Sequence, residues 1–289
     1  MPRSLLIISA PILFLLLWSG GYVVAKIGLL SAPPMMLLTL RFAAVVAIMV
    51  VLFAIIRPPL PKTRADWMHL AIVGLFMQTI YFGLSYMAFV NGIAAGTAAL
   101  IMSLQPILVA LIAPRWTQER ISWRMWAGLL IALLGTATVI TARLDIGPAP
   151  LLGFLYAGLA LAGIIMATLW EKRFGLSHHP VTANLIGYTA GLIGILPLLL
   201  WQGDYTVDWT PTFLFALAYL VIGNSVIAVG LLLMMIRAGE VARVSTLLFL
   251  VPPLSALIAW LAINEAMPPL AWAGLALAGF GVWIATRPN

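Results

Sequence analysis

The chain has 289 residues, of which 64% are hydrophobic and only 8% are charged. A soluble globular chain is about 45–50% apolar and about 25% charged, so this composition argues strongly against a soluble enzyme or a disordered protein. The net charge of +7 does not indicate a nucleic-acid binder, because the basic residues lie scattered between apolar runs. The absence of cysteine excludes disulfides, thiolate nucleophiles and cysteine-ligated metals. The composition therefore predicts one integral membrane body.

Ten apolar runs are long enough to cross a bilayer, since a spanning helix needs about 20 apolar residues. The predicted spans are Leu5–Lys26, Met35–Ile56, Trp67–Phe89, Ala94–Pro114, Trp123–Ala142, Pro150–Trp170, Val181–Trp201, Pro211–Ile236, Val241–Ile263 and Leu270–Thr286. The runs are continuously apolar and are separated by Pro, Gly and Asn turns, so they predict helices rather than alternating strands. The first run is longer than the apolar part of a signal peptide, so we expect it to remain as a span. The predicted fold class is an all-α integral membrane protein with ten transmembrane helices.

The basic residues predict the orientation of these spans. With the N-terminus in the cytoplasm, twelve Lys and Arg residues fall in cytoplasmic segments and only Arg143 falls in an outside loop. Such a bias follows the positive-inside rule and places both termini in the cytoplasm. The remaining two basic residues, Lys26 and Arg41, lie within predicted spans.

The chain also aligns with itself at an offset of 146 residues without a gap. This offset pairs Lys26 with Lys172 and Pro34 with Pro180, and 14 of the 32 residues between 104 and 135 have identical partners. The repeat divides the chain into two domains, 1–143 and 147–289, with five predicted spans each. Because five is odd, the second half must enter the membrane from the opposite side. Inverted repeats of this kind are typical of secondary transporters, which bind substrate between the halves.

Two paired motifs recur in the two halves. Each half contains Pro-x12-Glu, at Pro106 to Glu119 and at Pro252 to Glu265, and then Gly-x3-Ala-x2-Gly, starting at Gly128 and at Gly274. Small residues on one helix face allow close helix packing. The two glutamates precede spans five and ten, where we expect them to cap helix N-termini. Pro106 and Pro252 can kink spans four and nine, as gates or as passive bends.

These elements, together with Leu17-Trp18-Ser19-Gly20 in span one and Arg41 early in span two, resemble those of the drug/metabolite transporter superfamily, EamA type. The resemblance covers essentially the whole chain. By overall similarity, without a diagnostic motif, the chain is most similar to the YddG-type aromatic amino acid exporters. The resemblance implies ten helices, cytoplasmic termini, a bacterial inner membrane and metabolite export through a central cavity.

Polar and aromatic side chains recur at helical spacing in several spans. Trp18, Tyr22 and Lys26 share one face of span one, and Gln78, Tyr81, Phe82, Ser85 and Phe89 form a stripe in span three. The offset pairs Gln78 with Asn224 and Thr79 with Ser225. A cavity of aromatic side chains and methionines with few amides suits a flat apolar substrate with a polar end, whereas ordinary core packing is the alternative for each single residue. The cavity candidates are Trp18, Ser19, Tyr22, Lys26, Arg41, Gln78, Tyr81, Phe82, Met102, Met166, Trp170, Asn184, Tyr188 and Asn224.

The charged residues within or near the spans distinguish proton-coupled transport from facilitated export. Lys26 and Arg41 could attract a substrate carboxylate or phosphate, or could simply reach the outer interface. All eight acidic residues are predicted to lie in loops or at span ends, with Glu171 at the inner end of span six. A proton-coupled pump usually buries a carboxylate as its relay, so facilitated export by alternating access is the expected mechanism.

The sequence predicts a transporter that exports amphipathic metabolites, with aromatic or large apolar amino acids as substrates. The alternatives are a drug or sugar-phosphate exchanger and a non-transport membrane scaffold. A membrane enzyme is disfavoured because no acid, base, nucleophile or metal site converges, and no phosphate-binding Gly-rich loop predicts ATP hydrolysis. We expect no cofactor, no metal and no nucleic-acid partner. The expected partners are a small-molecule substrate and the lipid bilayer, and the sequence leaves the oligomeric state open, with a monomer compatible.

Overall fold

The computed structural model describes residues 3–93, 98, 101–116, 122–142, 151–174, 178–237, 247–263 and 268–286, and the described part is helical. Its helices, in chain order, are α1 (Arg3–Leu29), α2 (Pro34–Ile56), α3 (Arg64–Val90), α4 (Gln105–Trp116), α5 (Trp123–Thr141), α6 (Leu151–Phe174), α7 (Pro180–Gln202), α8 (211–237), α9 (Val251–Ile263) and α10 (Pro269–Thr286). Six of these described helices (α1, α2, α3, α6, α7 and α8) contain an apolar stretch long enough to cross a membrane.

The helix boundaries follow local sequence signals. The Thr63 hydroxyl accepts from the Asp66 amide at 3.1 Å, and the Asp66 carboxylate accepts from the Thr63 amide at 3.3 Å, which closes a capping box at the start of α3. At α8, the Thr210 hydroxyl accepts from the Phe213 amide at 3.1 Å. Gly203 ends α7 in the left-handed region, at a φ of 68°, where a side chain would be strained.

The expected starts of predicted spans four and nine lie on residues outside the described part. In span four, residues 98, 101 and 102 are helical, a turn at residues 103–104 follows, and α4 then begins, while residues 94–97, 99 and 100 lie outside the described part. In span nine, the short 3-10 helix Leu248–Leu250 leads directly into α9, and 241–246 lie outside the described part. Pro106 and Pro252 are the second residues of α4 and α9, where a turn or a 3-10 helix meets an α-helix. Their expected role as gates or passive bends stays a prediction.

Two helices contain a wider π-helical stretch at matching places. The first stretch is Leu75–Phe82 within α3, and the second is Tyr219–Ala228 within α8. The 146-residue offset carries 75–82 onto 221–228, so the two stretches correspond in the repeat. π-Helical turns often occur at functional sites, because the extra residue redirects side chains.

The connections between helices lie at two ends of the bundle. At one end, the Asp208 amide donates to the Ser31 carbonyl at 2.8 Å, so the α1–α2 and α7–α8 connections meet. At the other end, the Thr182 hydroxyl donates to the Pro59 carbonyl at 3.1 Å, so the start of α7 meets the α2–α3 connection. Helix α2 starts at the first end, near Ser31, and α7 starts at the other end, near Pro59. The repeat offset aligns these two helix starts, so repeat-related helices begin at opposite ends of the bundle.

Helices α5 and α10 pack closely in antiparallel directions. A Cβ added at Gly128 would lie 2.6 Å from the Gly281 carbonyl oxygen, and one added at Gly135 would lie 2.7 Å from the Gly274 carbonyl oxygen. Gly128, near the start of α5, thus contacts Gly281, near the end of α10, so the two helices run in opposite directions. The Gly-x3-Ala-x2-Gly elements of the two halves face each other here, as expected for close packing of small residues.

Candidate functional site

Two adjoining cavities lie between α1, α3 and the second half of the chain. The first, which we call the arginine cavity, has a volume of about 20 Å³ and is lined by Trp18, Gly21, Tyr22, Ala25, Arg41, Tyr81, Phe82, Ser85, Tyr86, Phe89 and Asn224. The second, which we call the helix-break cavity, also has a volume of about 20 Å³ and is lined by Trp18, Tyr22, Tyr81, Met102, Ser103, Gln105, Ile164, Leu248 and Val251. Trp18, Tyr22 and Tyr81 line both cavities and form the wall between them.

This wall is a compact group of aromatic rings. The Trp18 and Tyr81 rings are nearly parallel, with centroids 6.4 Å apart and an angle of 8° between the planes. The Phe82 ring lies 4.7 Å from Tyr81 and 6.1 Å from Trp18. The Tyr22 and Tyr81 hydroxyls are 3.1 Å apart, within hydrogen-bonding distance. Stacked rings with a few hydroxyls can hold a flat apolar molecule and orient a polar group on it.

Arg41 is fully buried beside these rings. Its Nε donates to the Ser225 hydroxyl at 2.7 Å, its Nη2 to the Asn224 side-chain oxygen at 2.6 Å, and its Nη1 to the Tyr86 hydroxyl at 3.3 Å. All three acceptors are neutral. The Phe82 ring centroid lies 4.3 Å from the guanidinium carbon, which adds a cation–π contact. The burial excludes the alternative in which Arg41 reaches the membrane interface.

The repeat-related amides Gln78 and Asn224 occupy the two π-helical stretches. Asn224 lines the arginine cavity and accepts from Arg41. Gln78 is buried, and its side-chain oxygen has no hydrogen-bond partner among the described residues. Between them, the buried Tyr188 hydroxyl donates to the Ser225 carbonyl at 3.1 Å. The two amides therefore do not line one shared cavity.

Gln78 instead lines a third cavity, which we call the glutamate cavity. This cavity has a volume of about 20 Å³ and is lined by Leu70, Val73, Gly74, Met77, Gln78, Glu171, Ala183, Asn184, Gly187 and Val229. Glu171 is only 1% exposed. Glu171 lies in the last turn of α6, which ends at Phe174, as expected for the inner end of span six, but the packing of α6 against α3 buries it.

The first residues of two helices line the helix-break cavity. Gln105, the first residue of α4, and Val251, the first residue of α9, both line it. Met102, a sequence candidate, lines it from the residues before α4. Of the two candidate gating prolines, Pro106 is buried one residue beyond Gln105, and Pro252 follows Val251.

The structure does not bring every sequence candidate to the cavities. Lys26 is exposed on α1, and Met166 is half-buried on α6 without lining any of the three cavities. The Trp170 indole donates to His69 Nδ1 at 3.2 Å and lies away from the arginine cavity. Ser19 is buried, and its hydroxyl has no partner among the described residues.

Several cavity residues carried only weak signals in the sequence. Tyr86 gave none, because a single tyrosine in an apolar span has no distinguishing pattern. Ser225 was visible as the repeat partner of Thr79, and Ser85 and Phe89 lay in the span-three stripe. Gln105 donates to the Thr168 hydroxyl at 3.4 Å. Its sequence signal is its place directly before Pro106, where a helix is expected to break or begin.

Known proteins resemble the chain over nearly its whole length. The sequence profile of the EamA-like transporter family matches residues 5–141 and 151–287. An Escherichia coli (strain K12) protein named "Probable amino-acid metabolite efflux pump" is 27% identical, over 94% of this chain and 92% of its own length. A Streptantibioticus cattleyicolor protein named "Probable terminal-alkyne amino-acid exporter" is 26% identical, over 68% of this chain and 65% of its own length. A crystal structure that is 24% identical shares the fold, with a TM-score of 0.80 over 96% of this chain and 95% of that one.

Proposed function

This chain belongs to the EamA-like transporter family and is an integral membrane transporter, and on that premise we propose that it exports aromatic and other large apolar amino acids. Transport is facilitative and follows the substrate gradient. The substrate binds in the arginine and helix-break cavities and crosses by alternating access. No cofactor takes part.

The observation that carries this proposal is the aromatic wall shared by two cavities. Trp18, Tyr22 and Tyr81 offer flat apolar surfaces, and the wall adjoins one cation and a small number of hydroxyl and amide groups. A mostly apolar site with a few fixed polar groups selects a ligand with a large apolar part and one polar end. Aromatic amino acids match this distribution. The names of the two relatives, which concern amino-acid export, support the same substrate class.

We further propose that the chain crosses the membrane ten times in two inverted domains, 1–143 and 147–289. The antiparallel packing of α5 on α10 supports this arrangement, and so do the opposite positions of the starts of α2 and α7. The basic residues of the sequence support cytoplasmic termini. The name of an Escherichia coli (strain K12) relative, which calls it an inner membrane transporter, supports a location in the inner membrane.

Alternating access needs a closed layer that can open toward either side. The glutamate cavity and the arginine cavity lie on the two sides of such a layer, which contains Tyr188 and Phe42 with ring centroids 5.7 Å apart. Residues of both halves form the layer. A rocking motion of one repeat against the other opens it, as in other transporters built from inverted repeats.

The alternatives fit the described residues less well. A sugar-phosphate exchanger requires several cations around a doubly charged group, and the arginine cavity contains one. A scaffold without transport activity needs no cavities between its halves, whereas residues of both halves line the arginine cavity and the glutamate cavity.

The test is counterflow in liposomes that contain the purified protein, without a proton or sodium gradient. We expect saturable uptake of radiolabelled phenylalanine and tryptophan, and none of a sugar phosphate. Trp18→Ala removes one face of the wall and should lower phenylalanine flux about tenfold or more, since buried aromatic contacts dominate binding sites.

Trp201→Ala is the matched control. Trp201 is 79% exposed on α7 and lines none of the three cavities, so its variant should transport like the wild type. An equal loss of flux in both folded variants would contradict the cavity assignment. Uptake of the sugar phosphate in place of the amino acids would overturn the proposed substrate class.

A further inference from the structure

We propose that Arg41 recognises the carboxylate of the transported substrate, so that the protein selects molecules in which a free carboxylate adjoins a large apolar group. This inference rests on the proposed function. It adds to the proposed substrate class the side chain that recognises the substrate carboxylate. Four observations on the described residues carry it.

The first observation is a buried cation with no anion beside it among the residues that the structure describes. Arg41 is fully buried, and its described hydrogen-bond acceptors are a hydroxyl of Ser225, an amide oxygen of Asn224 and a hydroxyl of Tyr86. Removing a charge from water is costly unless an opposite charge and hydrogen bonds compensate it. Neutral acceptors compensate only part of this cost. A carboxylate that enters the cavity therefore gains more from Arg41 than it would from an already paired arginine.

The second observation is the number of available donors. A guanidinium carries five N–H groups in a fixed planar fork. Within the described residues, three of them, one on each nitrogen, donate to Ser225, Asn224 and Tyr86, and the guanidinium also contacts the Tyr188 hydroxyl. An entering carboxylate can accept hydrogen bonds from the N–H groups of Nη1 and Nη2 that these contacts leave.

The third observation is the position of the guanidinium relative to the rings. Arg41 lines the same cavity as Trp18 and Tyr81, and its guanidinium carbon lies 4.3 Å from the Phe82 ring centroid. An amino acid whose side chain lies against the aromatic wall can therefore direct its carboxylate toward Arg41. The contacts of Arg41 with Ser225 and Asn224 also join α2 of the first half to α8 of the second, so a bound carboxylate touches the junction of the halves.

The fourth observation is an unsatisfied hydroxyl in the same cavity. Ser85 is 8% exposed, and its Oγ has no hydrogen-bond partner among the described residues. A buried hydroxyl without a partner costs free energy that a bound polar group can recover. Ser85 lies one helical turn beyond Tyr81, so both can contact the polar end of a substrate held by Arg41.

The test uses the wild-type protein first, because an Arg41 variant could fail to fold. Liposomes that contain the full chain take up radiolabelled phenylalanine, and unlabelled competitors differ by one group. Phenylpropionate lacks the ammonium, and phenethylamine lacks the carboxylate. We expect phenylpropionate to compete and phenethylamine to compete about tenfold or more weakly, because it leaves the guanidinium unpaired.

Variants then assign the selectivity to the residue. Arg41→Gln should remove the preference for phenylpropionate over phenethylamine, and Arg41→Lys should retain part of it as a point charge. Arg124→Gln, at an exposed arginine of α5, is the control and should keep the wild-type preference. Equal competition by both analogues in the wild type would overturn the inference and leave amino-acid export standing. A preference that survives intact in a folded Arg41→Gln variant would also overturn it. An absence of phenylalanine flux in the wild type would instead refute the proposed function.

Discussion

At the residue scale, Arg41 and Glu171, the buried charged side chains within the described ranges, are the most informative features of the protein. Arg41 lines the arginine cavity, and Glu171 lines the glutamate cavity. Ionisable groups inside a membrane protein are costly to bury and commonly mark a transport pathway. Lys26, on the other hand, is exposed on α1. Burial thus distinguishes two basic side chains that the sequence presents as equivalent candidates.

Glu171 provides a test of the facilitative mechanism. We expect phenylalanine flux without a pH gradient in both the wild type and Glu171→Gln, because the proposed substrate site lies in the arginine cavity and its occupation requires no proton at Glu171. The measurement is initial counterflow rate in liposomes, with and without an imposed pH gradient.

A different pattern would identify coupling to protons. If wild-type flux required the gradient and Glu171→Gln lost that requirement, the buried carboxylate would be the proton site and the facilitative mechanism would be wrong. Asn184→Ala, which alters the same cavity without removing a titratable group, separates a proton effect from a change of cavity shape.

At the element scale, small residues and helix breaks position the cavities. Gly128, Gly135, Gly274 and Gly281 let α5 and α10 approach backbone to backbone, outside the cavities. The first residues of α4 and α9, Gln105 and Val251, both line the helix-break cavity. The π-helical stretches place Asn224 toward the arginine cavity and Gln78 toward the glutamate cavity. The regular helices α5 and α10 therefore pack against each other away from the cavities, whereas the π-helical stretches of α3 and α8 contribute side chains that line them.

The contact between α5 and α10 predicts unequal effects at two glycines of one helix. An added Cβ at Gly281 would lie 2.8 Å from the Gly128 carbonyl oxygen, so Gly281→Val must separate the helices. Overpacking of this kind destabilises a protein by about 1–3 kcal/mol. We expect a lower midpoint of thermal unfolding in detergent.

Gly279→Val is the control for this prediction. Nothing lies within 4 Å of a Cβ added at Gly279, so the substitution tests the intrinsic effect of valine in α10 alone. Equal unfolding midpoints for the two variants would show that the close contact contributes no stability.

At the scale of the whole molecule, the connections predict which ends of the bundle share a membrane face. The connections around Ser31 and Asp208 meet at one end, and those around Pro59 and Thr182 meet at the other. The positive-inside rule assigns the second end to the cytoplasm, because Arg57, Lys62 and Arg64 lie there.

The absence of native cysteine makes this orientation directly measurable. Lys62→Cys and Tyr205→Cys each place one thiol at an exposed position, at opposite ends of the bundle. We expect a membrane-impermeant maleimide to label Tyr205→Cys in bacterial cells with an opened outer membrane, and to label Lys62→Cys only in inverted vesicles. The reverse pattern would overturn the proposed orientation, and labelling of both from one side would contradict an odd number of crossings between them.

The sequence by itself determined the class of protein and the approximate course of the chain. Composition and the length of apolar runs predicted a helical membrane protein, since both are local properties that the bilayer imposes. The boundaries of α2, α5 and α7 agree with the predicted spans within about two residues, because proline, glycine and threonine signals mark their ends. The repeat offset correctly related the two π-helical stretches. The family resemblance was also visible, and the family comparison confirmed it.

Only the tertiary structure decided which side chains share a cavity. A helix that is apolar around its circumference carries no stripe to show which face meets a neighbour, so hydropathy cannot separate a cavity residue from a packed or lipid-facing one. For this reason Lys26, Met166 and Trp170 fell outside the three cavities, Tyr86 was missed, and the burial of Glu171 near the end of α6 was not predicted. The pairing of Arg41 with Ser225 and Asn224 arises from contact between α2 and α8, about 180 residues apart, and is set by the packing of the two halves.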